Sequence, residues 1–193
     1  MTDAEIKKIY KKYKTPNSII DHMETVAKVC GILADAANAN GLKVNKEILI
    51  KAAKLHDAVR PCDFRDFNED ELKHKHTTKD IEVWKGLRDQ YGKIGHAKAM
   101  ANILNEMGEQ EVAHLVEVHD FNQIDNLKTL EEKIIYYADK RVDKDKIVTL
   151  DYRMSEGKKR NFRKEDNEKN RQLIIKKIKK LEQELIKYAA AII

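Results

Sequence analysis

The chain contains few residues that interrupt regular secondary structure, with two prolines and seven glycines among 193 residues. This scarcity favours helices over short strands and turns. The two cysteines, Cys30 and Cys62, lack C-x-x-C spacing and give no disulfide framework, which fits a reducing compartment. There is no apolar run long enough to cross a bilayer and no signal-peptide pattern, so we expect a cytoplasmic protein without a membrane partner.

Several well-known catalytic motifs are also missing. The sequence has no Walker loop, no Gly-rich dinucleotide turn, no H-E-x-x-H pair and no G-x-S-x-G elbow. It therefore carries no signature of a P-loop nucleotidase, a dinucleotide-dependent enzyme, an H-E-x-x-H metalloprotease or a serine hydrolase.

Positive charge is concentrated toward the C-terminus. The formal net charge is +5, and residues 140–180 hold 16 Lys or Arg against 7 Asp or Glu. Such a segment could contact nucleic-acid phosphates, but a charge run on a helix is usually a solvated face. A helical nucleic-acid-binding module is therefore the weaker hypothesis for this chain.

Capping signals divide the chain into predicted helices. The predicted starts are Thr2 with Glu5, Pro16 with Asn17, Asn45, Thr77 with Asp80, Gly95, and Thr129 with Glu132. After Arg141 the apolar pattern predicts a helix that continues through Leu150. A last helix, from about Lys164, has an apolar seam that must pack on the body or on a partner; it consists of Ile174, Ile178, Leu181, Leu185 and Tyr188.

The segment KAAKLHDAVR, residues 51–60, places His56 and Asp57 side by side at the end of an apolar helix. By helical spacing His56 continues the face that points into the core. A carboxylate carried toward an apolar interior costs several kcal/mol unless a cation or strong donors compensate it. The pair therefore indicates either a metal site or polar groups that find partners in the core or turn out into the loop.

Four more polar side chains fall in predicted apolar stripes, namely His22, His96, His119 and Asp139. Taken singly, such a histidine is more often a satisfied core residue than a ligand. Together with His56 and Asp57 they make six polar groups on five helices. Burying all six would cost much free energy unless they converge on one polar centre. Because Mn, Fe, Zn or Mg accept imidazole and carboxylate ligands, we expect a divalent metal centre.

The order of these residues resembles the H…HD…D signature of the HD superfamily of metal-dependent phosphohydrolases, over residues 15–150. His96 and His119 resemble the added ligands of HD proteins that hold two ions. The resemblance implies an all-α, single-domain helical bundle, to which the apolar and charge pattern adds a charged C-terminal helix. It also implies a ligand set in which His22, His56, Asp57 and Asp139 bind one ion, and Asp57 bridges to a second ion held by His96 and His119.

The resemblance further implies an enzyme that attacks a phosphoryl group with a metal-activated water, with His56 and Asp57 as its catalytic residues. The expected substrate is a nucleotide or another small phosphorylated compound, cleaved as a phosphomonoester or a phosphodiester. Three cations near the signature are candidate substrate contacts, with ordinary salt bridging as an equal alternative for each; they are Arg60, Lys140 and Arg141. The GYP motif of the superfamily's cyclic-di-GMP phosphodiesterases is absent.

The remaining polar features are assigned structural roles or left open. His74 and His76 are predicted to be solvated loop residues, and His114 to be structural, because it lies off the face of His119. Residues 58–76 are predicted to be a surface loop, within a 58–95 insertion that lines the substrate pocket.

Two regions follow from this pattern, an HD-type metal-binding domain over residues 1–150 and a basic helical extension over residues 151–193. The alternative function is a metal-binding regulatory or scaffold domain. In that case the final helix could also form a homo-oligomer.

Overall fold

The structure is a computed structural model that describes residues 1–64, 66–67, 76–161 and 168–189. These residues form nine α-helices: α1 (Asp3–Tyr13), α2 (Asn17–Ala39), α3 (Lys46–Leu55), α4 (Thr78–Tyr91), α5 (His96–Glu106), α6 (Gln110–Val118), α7 (Leu130–Asp139), α8 (Leu150–Asn161) and α9 (Glu168–Ala189). Short 3-10 helices cover Arg60–Asp63 and Phe121–Asp125, and strands β1 (Val142–Asp143) and β2 (Lys146–Ile147) form a hairpin. The predicted all-α class is confirmed.

Six of the helices, α1 to α5 and α7, begin at the predicted capping residues. The predicted start of the last helix, near Lys164, lies outside the described residues. Thr2, Thr77 and Thr129 each accept a hydrogen bond from the backbone N–H three residues on, and the acidic side chain there accepts one from the threonine N–H. The Asn45 side chain accepts from the Ile48 N–H at 3.3 Å. These caps satisfy helix N–H groups that have no partner within the helix, so the predicted starts are confirmed.

Helix α2 lies at the centre of the bundle, where it packs against α3, α7 and α9. Its inner face is buried and includes Met23, Val26 and Cys30. Helices α5 and α6 pack as a pair, and α6 also contacts α3 and α7. The ends of α3, α6 and α7 therefore meet beside α2. Burial of the surrounding apolar side chains stabilises the fold, and this stabilisation offsets the cost of burying polar groups at that position.

The segment after α7 departs from the prediction. Instead of continuing as a helix through Leu150, it forms the β1–β2 hairpin, with Val142 opposite Ile147. Lys144 has a left-handed conformation, with φ of 57°, that helps to reverse the chain. The predicted helix is wrong here because the charged run 143–146 supplies a turn instead of an apolar helix face.

The seam of the last helix packs on the body of its own chain. Four of its residues are buried, namely Ile174, Ile178, Leu181 and Leu185, and Tyr188 is partly buried. Helix α9 lies against α2, α7 and the second 3-10 helix. Of the two surfaces considered for this seam, the body is the one that covers it. Among the described residues, no helix has the length and apolar character needed to span a membrane.

The start of the 58–95 segment is more buried than predicted. Ala58, Val59 and Cys62 are buried, so this part is core and not surface loop. The preceding α3 ends at Leu55, and the tight turns that follow keep the chain inside the bundle.

His76 is also buried, contrary to the expected solvated loop histidine. Its ring lies 4.8 Å from the Trp84 ring, and its Nε2 atom is 3.2 Å from the Phe67 carbonyl oxygen. The prediction was wrong at this residue because the Trp84 ring and the Phe67 backbone cover it. His74 lies outside the described residues.

Candidate metal centre

Three helix ends bring His22, His56 and Asp139 together. His22 lies near the start of α2, His56 directly follows α3, and Asp139 is the last residue of α7. The Nε2 atoms of His22 and His56 lie 3.0 and 3.5 Å from Asp139 Oδ1. One ligand atom from each residue falls within 4.8 Å of the others, so the three could hold a metal ion.

A second group shares His56 with the first. His56, Asp57 and His119 also place one ligand atom each within 4.8 Å of one another. Asp57 Oδ1 lies 3.6 Å from His119 Nε2 and 2.9 Å from His96 Nε2. The structure therefore brings all six side chains singled out from the sequence to one buried centre.

All four histidines of the centre are fixed through their Nδ1 atoms. In three of them Nδ1 lies 2.5 to 3.0 Å from a backbone carbonyl oxygen; the pairs are His22 with Lys144, His56 with Ala53 and His119 with Val116. His96 directs Nδ1 to Asp63 Oδ2 at 2.5 Å. Because these oxygens can only accept, we assign the proton to each Nδ1, and each Nε2 then presents a lone pair to the centre.

This arrangement fits metal cations. The buried His56 Nε2 atom makes no hydrogen bond among the described residues. The Nε2 atoms of His96 and His119 lie 3.2 Å apart, which sets two lone pairs against each other. Buried acceptors without donors are costly, and a divalent ion that takes imidazole and carboxylate ligands removes that cost.

Arg60 already places one positive charge beside this centre. Its Nη1 atom donates to His96 Nε2 at 2.9 Å and lies 3.5 Å from Asp57 Oδ1. The Arg60 guanidinium thus binds the His96 Nε2 lone pair, which a second metal ion would also need as a ligand. The Arg60 side chain is 36% exposed and lines the adjoining cavity, so an ion bound at His96 would displace the guanidinium toward that cavity.

The charges of the centre keep both aspartates ionised. Burial opposes ionisation of Asp57, but Arg60 and the neighbouring imidazoles outweigh it and hold the pKa of this carboxyl well below its usual range. Burial likewise opposes ionisation of Asp139, while Lys140 and the adjacent His22 and His56 rings lower the pKa of that carboxyl well below its usual range. Two carboxylates therefore remain available as anionic ligands at neutral pH.

The structure adds Asp63, which the sequence reasoning missed. Besides bonding His96 Nδ1, its Oδ2 atom lies 3.5 Å from the His96 N–H, and its Oδ1 accepts from Cys62 Sγ at 3.3 Å. Asp63 follows Pro61 in a 3-10 helix, so helical periodicity gives no sign of its direction. Its nearness to the His56-Asp57 pair in sequence was the only signal.

A cavity of about 400 Å³ opens onto the centre. Its lining includes Arg60, Asp63, His96, His119, Asp139 and Lys140, together with residues of the C-terminal segment. The Lys140 ammonium donates to the His119 carbonyl oxygen at 2.5 Å and to Asp139 Oδ2 at 3.0 Å. Two of the three cations considered as substrate contacts, Arg60 and Lys140, therefore line this cavity.

Arg141 does not lie with them. Its guanidinium donates to the Tyr137 hydroxyl at 2.5 Å and to the Val148 carbonyl at 2.7 Å, and it is 3.5 Å from Glu182. It is absent from the cavity lining. The ordinary salt-bridging alternative thus describes Arg141, which ties α7 to α9 and to the end of the hairpin.

His114 is also separate from the centre. Its Nε2 atom lies 2.8 Å from Glu132 Oε1 at the start of α7, and its side chain is 59% exposed. This contact agrees with a structural role.

The comparisons with known proteins agree with this geometry. The family model of the HD domain matches residues 19–142, which is more than half of the chain and includes all six converging side chains. A search of curated proteins and a search of solved structures found no match. The chain therefore belongs to the HD superfamily of metal-dependent phosphohydrolases.

Proposed function

We propose that this protein hydrolyses a phosphate ester of a nucleotide or of another small phosphorylated compound with the help of bound divalent metal. The observation that carries the proposal is the pair of His/Asp groups that share His56 and face a cavity lined with cations. Family membership supports the hydrolase chemistry, and the cations of the cavity support an anionic substrate.

The ligand roles follow from the two groups. We propose that His22, His56, Asp57 and Asp139 hold one ion, and that Asp57, His96 and His119 hold a second, because Asp57 lies 3.8 Å from His56 through Oδ2 and 2.9 Å from His96 through Oδ1. When bound, such ions activate water and polarise a phosphoryl oxygen. Because Asp57 contacts both groups, we propose it and His56 as the residues most directly involved in catalysis.

The chain's own cations contribute orientation and charge. Lys140 donates to Oδ2 of Asp139 and so leaves Oδ1 directed at His22 and His56. Arg60 has further N–H groups that can bind phosphate oxygens once its side chain turns into the cavity. Both residues would neutralise the charge of a phosphate held near the ions.

Hydrolysis assays on metal-loaded protein test the proposal. We would load the protein with Mn, Fe, Zn or Mg and assay 4-nitrophenyl phosphate, bis(4-nitrophenyl) phosphate and a set of nucleotides. Asp57→Ala should lower the rate by about 100-fold or more, because it removes a carboxylate from both groups. His114→Ala, a histidine outside the centre, serves as the matched control and should retain the rate.

The helical circular dichroism spectrum of Asp57→Ala should remain that of wild type, which separates lost chemistry from lost fold. Metal binding without hydrolysis of any ester, in wild type and variant alike, would reject the enzyme and favour a regulatory or scaffold domain.

A further inference from the structure

The cavity has a second cationic region, formed by the C-terminal helices. Arg153 and Met154 of α8 and Arg171 and Ile174 of α9 line it, together with Phe121. All of the α8 and α9 residues lie beyond residue 142, where the match to the HD family ends. This region is therefore a feature of this chain's own C-terminal segment.

Both arginines are anchored by backbone carbonyls. Arg153 donates from Nε to the Val142 carbonyl at 2.7 Å, and Arg171 donates from Nη2 to the Met154 carbonyl at 2.7 Å. The Arg171 guanidinium also lies 5.6 Å from the centre of the Phe121 ring. Each side chain is thus held in place while most of its five N–H donors remain available.

Neither guanidinium lies within salt-bridge distance of a carboxylate among the described residues, and the buried Nε of Arg171 has no hydrogen-bond partner there. Arg141 provides the contrast, because its guanidinium is paired with Glu182 and the Tyr137 hydroxyl. Asp120, the remaining acidic group of this part of the lining, accepts from the Asn122 N–H at 2.9 Å. The Arg171 charge helps to lower the pKa of the Glu168 carboxyl, after the Gln172 and Lys158 hydrogen bonds, but Glu168 is not within salt-bridge distance of it. Two anchored guanidiniums that form no salt bridge among the described residues, on the wall of a cavity, are arranged to receive an anion from solution.

We propose that Arg153 and Arg171 bind a second phosphate group of the substrate, distinct from the phosphate that is cleaved at the metal centre. This assignment rests on the proposed function for the identity of the cleaved group. A phosphate fits because its oxygens accept from the planar guanidinium in pairs, and because the same cavity already contains Arg60 and Lys140 for the first phosphate. The substrate class is thus a compound with at least two phosphate groups.

A series of alkanediol bisphosphates of increasing length, each compared with its alkyl monophosphate, tests the inference. Calorimetry on the metal-loaded protein should show that at least one bisphosphate binds about 10-fold or more tightly than its monophosphate, as expected for added charge-assisted hydrogen bonds. Arg153→Gln/Arg171→Gln should remove this advantage and leave monophosphate binding within about twofold of wild type. Lys180→Gln, an exposed cation of α9 outside the cavity, should retain the advantage.

The comparison between the two ligand types in wild type does not depend on how well a variant folds. Equal affinities for mono- and bisphosphates at every length would overturn the proposal, and so would an advantage that survives in the double variant. Arg171→Lys keeps the charge but loses paired donation, and should give an intermediate advantage. A failure to hydrolyse any of these esters would count against the proposed function alone, because the phosphate site of Arg153 and Arg171 is tested by binding.

Discussion

The Nε2 atoms of His96 and His119 lie 3.2 Å apart in the interior of the protein, and the Nδ1 atom of each ring is already bonded to an oxygen. When both imidazoles are neutral and carry their protons on Nδ1, the lone pairs of the two Nε2 atoms point at each other and repel. Arg60 relieves part of the opposition by donating to His96. The geometry therefore favours a cation at this position, either an ion or the guanidinium.

Removing these two imidazoles should change the metal content. Protein purified without chelator should contain about two equivalents of transition metal, and His96→Ala/His119→Ala about one, because the group of His22, His56 and Asp139 remains. Elemental analysis measures both values, with His114→Ala as the control that removes an imidazole elsewhere. One equivalent in wild type and in the double variant would mean that Arg60 keeps the second position.

Asp63→Asn should weaken metal binding without removing a ligand. The Asp63 carboxylate holds the proton on His96 Nδ1 and raises the basicity of Nε2, and loss of such a partner typically costs 10- to 100-fold, roughly, in affinity. Competition with a chromogenic chelator would measure the change, and Asp151→Asn, an exposed carboxylate of α8, is the control. An unchanged affinity together with a lowered melting temperature would assign Asp63 a purely structural role.

Metal-free protein should lose stability as the pH rises. Burial, and for His96 the Arg60 charge, opposes protonation, but carboxylates led by Asp57 outweigh it and raise the pKa of His56 and His96. A pKa raised on folding stabilises the fold below the unfolded value of about 6.5, and this contribution disappears as pH rises through the folded value. His119, whose pKa burial lowers to about 4, affects the slope only below about pH 6.5.

Urea unfolding between about pH 6 and about pH 9, with and without chelator, measures this dependence. Stabilisation by added metal should instead increase with pH over this range, because the ligands bind ions only after losing their protons. Parallel stability curves for metal-free and metal-loaded protein would contradict the expected linkage.

Glu132→Gln should destabilise the start of α7. Oε2 accepts from the Lys128 and Thr129 N–H groups, and Oε1 lies 2.8 Å from His114 Nε2. Burial opposes ionisation, but these donors hold the pKa of the carboxyl below its usual range, so its stabilisation is present at neutral pH and lost as pH falls through the lowered value.

The loss should be about 1 to 2 kcal/mol in the free energy of unfolding, measured in urea near neutral pH. Glu117→Gln, an exposed glutamate of α6, is the matched control and should change stability by less than about 0.5 kcal/mol. A loss in Glu132→Gln that persists undiminished well below pH 4 would show that the charge is not its origin.

Local sequence signals predicted the features that depend on short-range spacing. Threonine and asparagine caps gave the helix starts, and periodicity gave the inward direction of His22, His96 and His119, because each lies in or directly after a helix. The cost of burying six polar groups predicted that they converge, and the resemblance to the HD superfamily predicted how they divide between two ions. Both signals are carried by residues within or next to regular helices.

Features that depend on contacts between distant segments were missed. Asp63 lies in a 3-10 helix, where the helical period does not apply, and Arg153 and Arg171 reach the cavity only because α8 and α9 fold back on the body. Burial of His76, which precedes α4, depends on how the chain before that helix folds against Trp84. Sequence spacing contains no information about such packing, so these assignments needed the structure.

The β1–β2 hairpin also determines the shortest fragment of this chain that can keep an intact metal centre. His22 Nδ1 is fixed by the carbonyl oxygen of Lys144, two residues past the end of the family match, and Arg153 is fixed by Val142 on the neighbouring strand. A fragment trimmed to the matched residues would keep all six side chains yet lose the acceptor that orients one of them. For this protein the boundary drawn from family likeness is shorter than the boundary required by its hydrogen bonds.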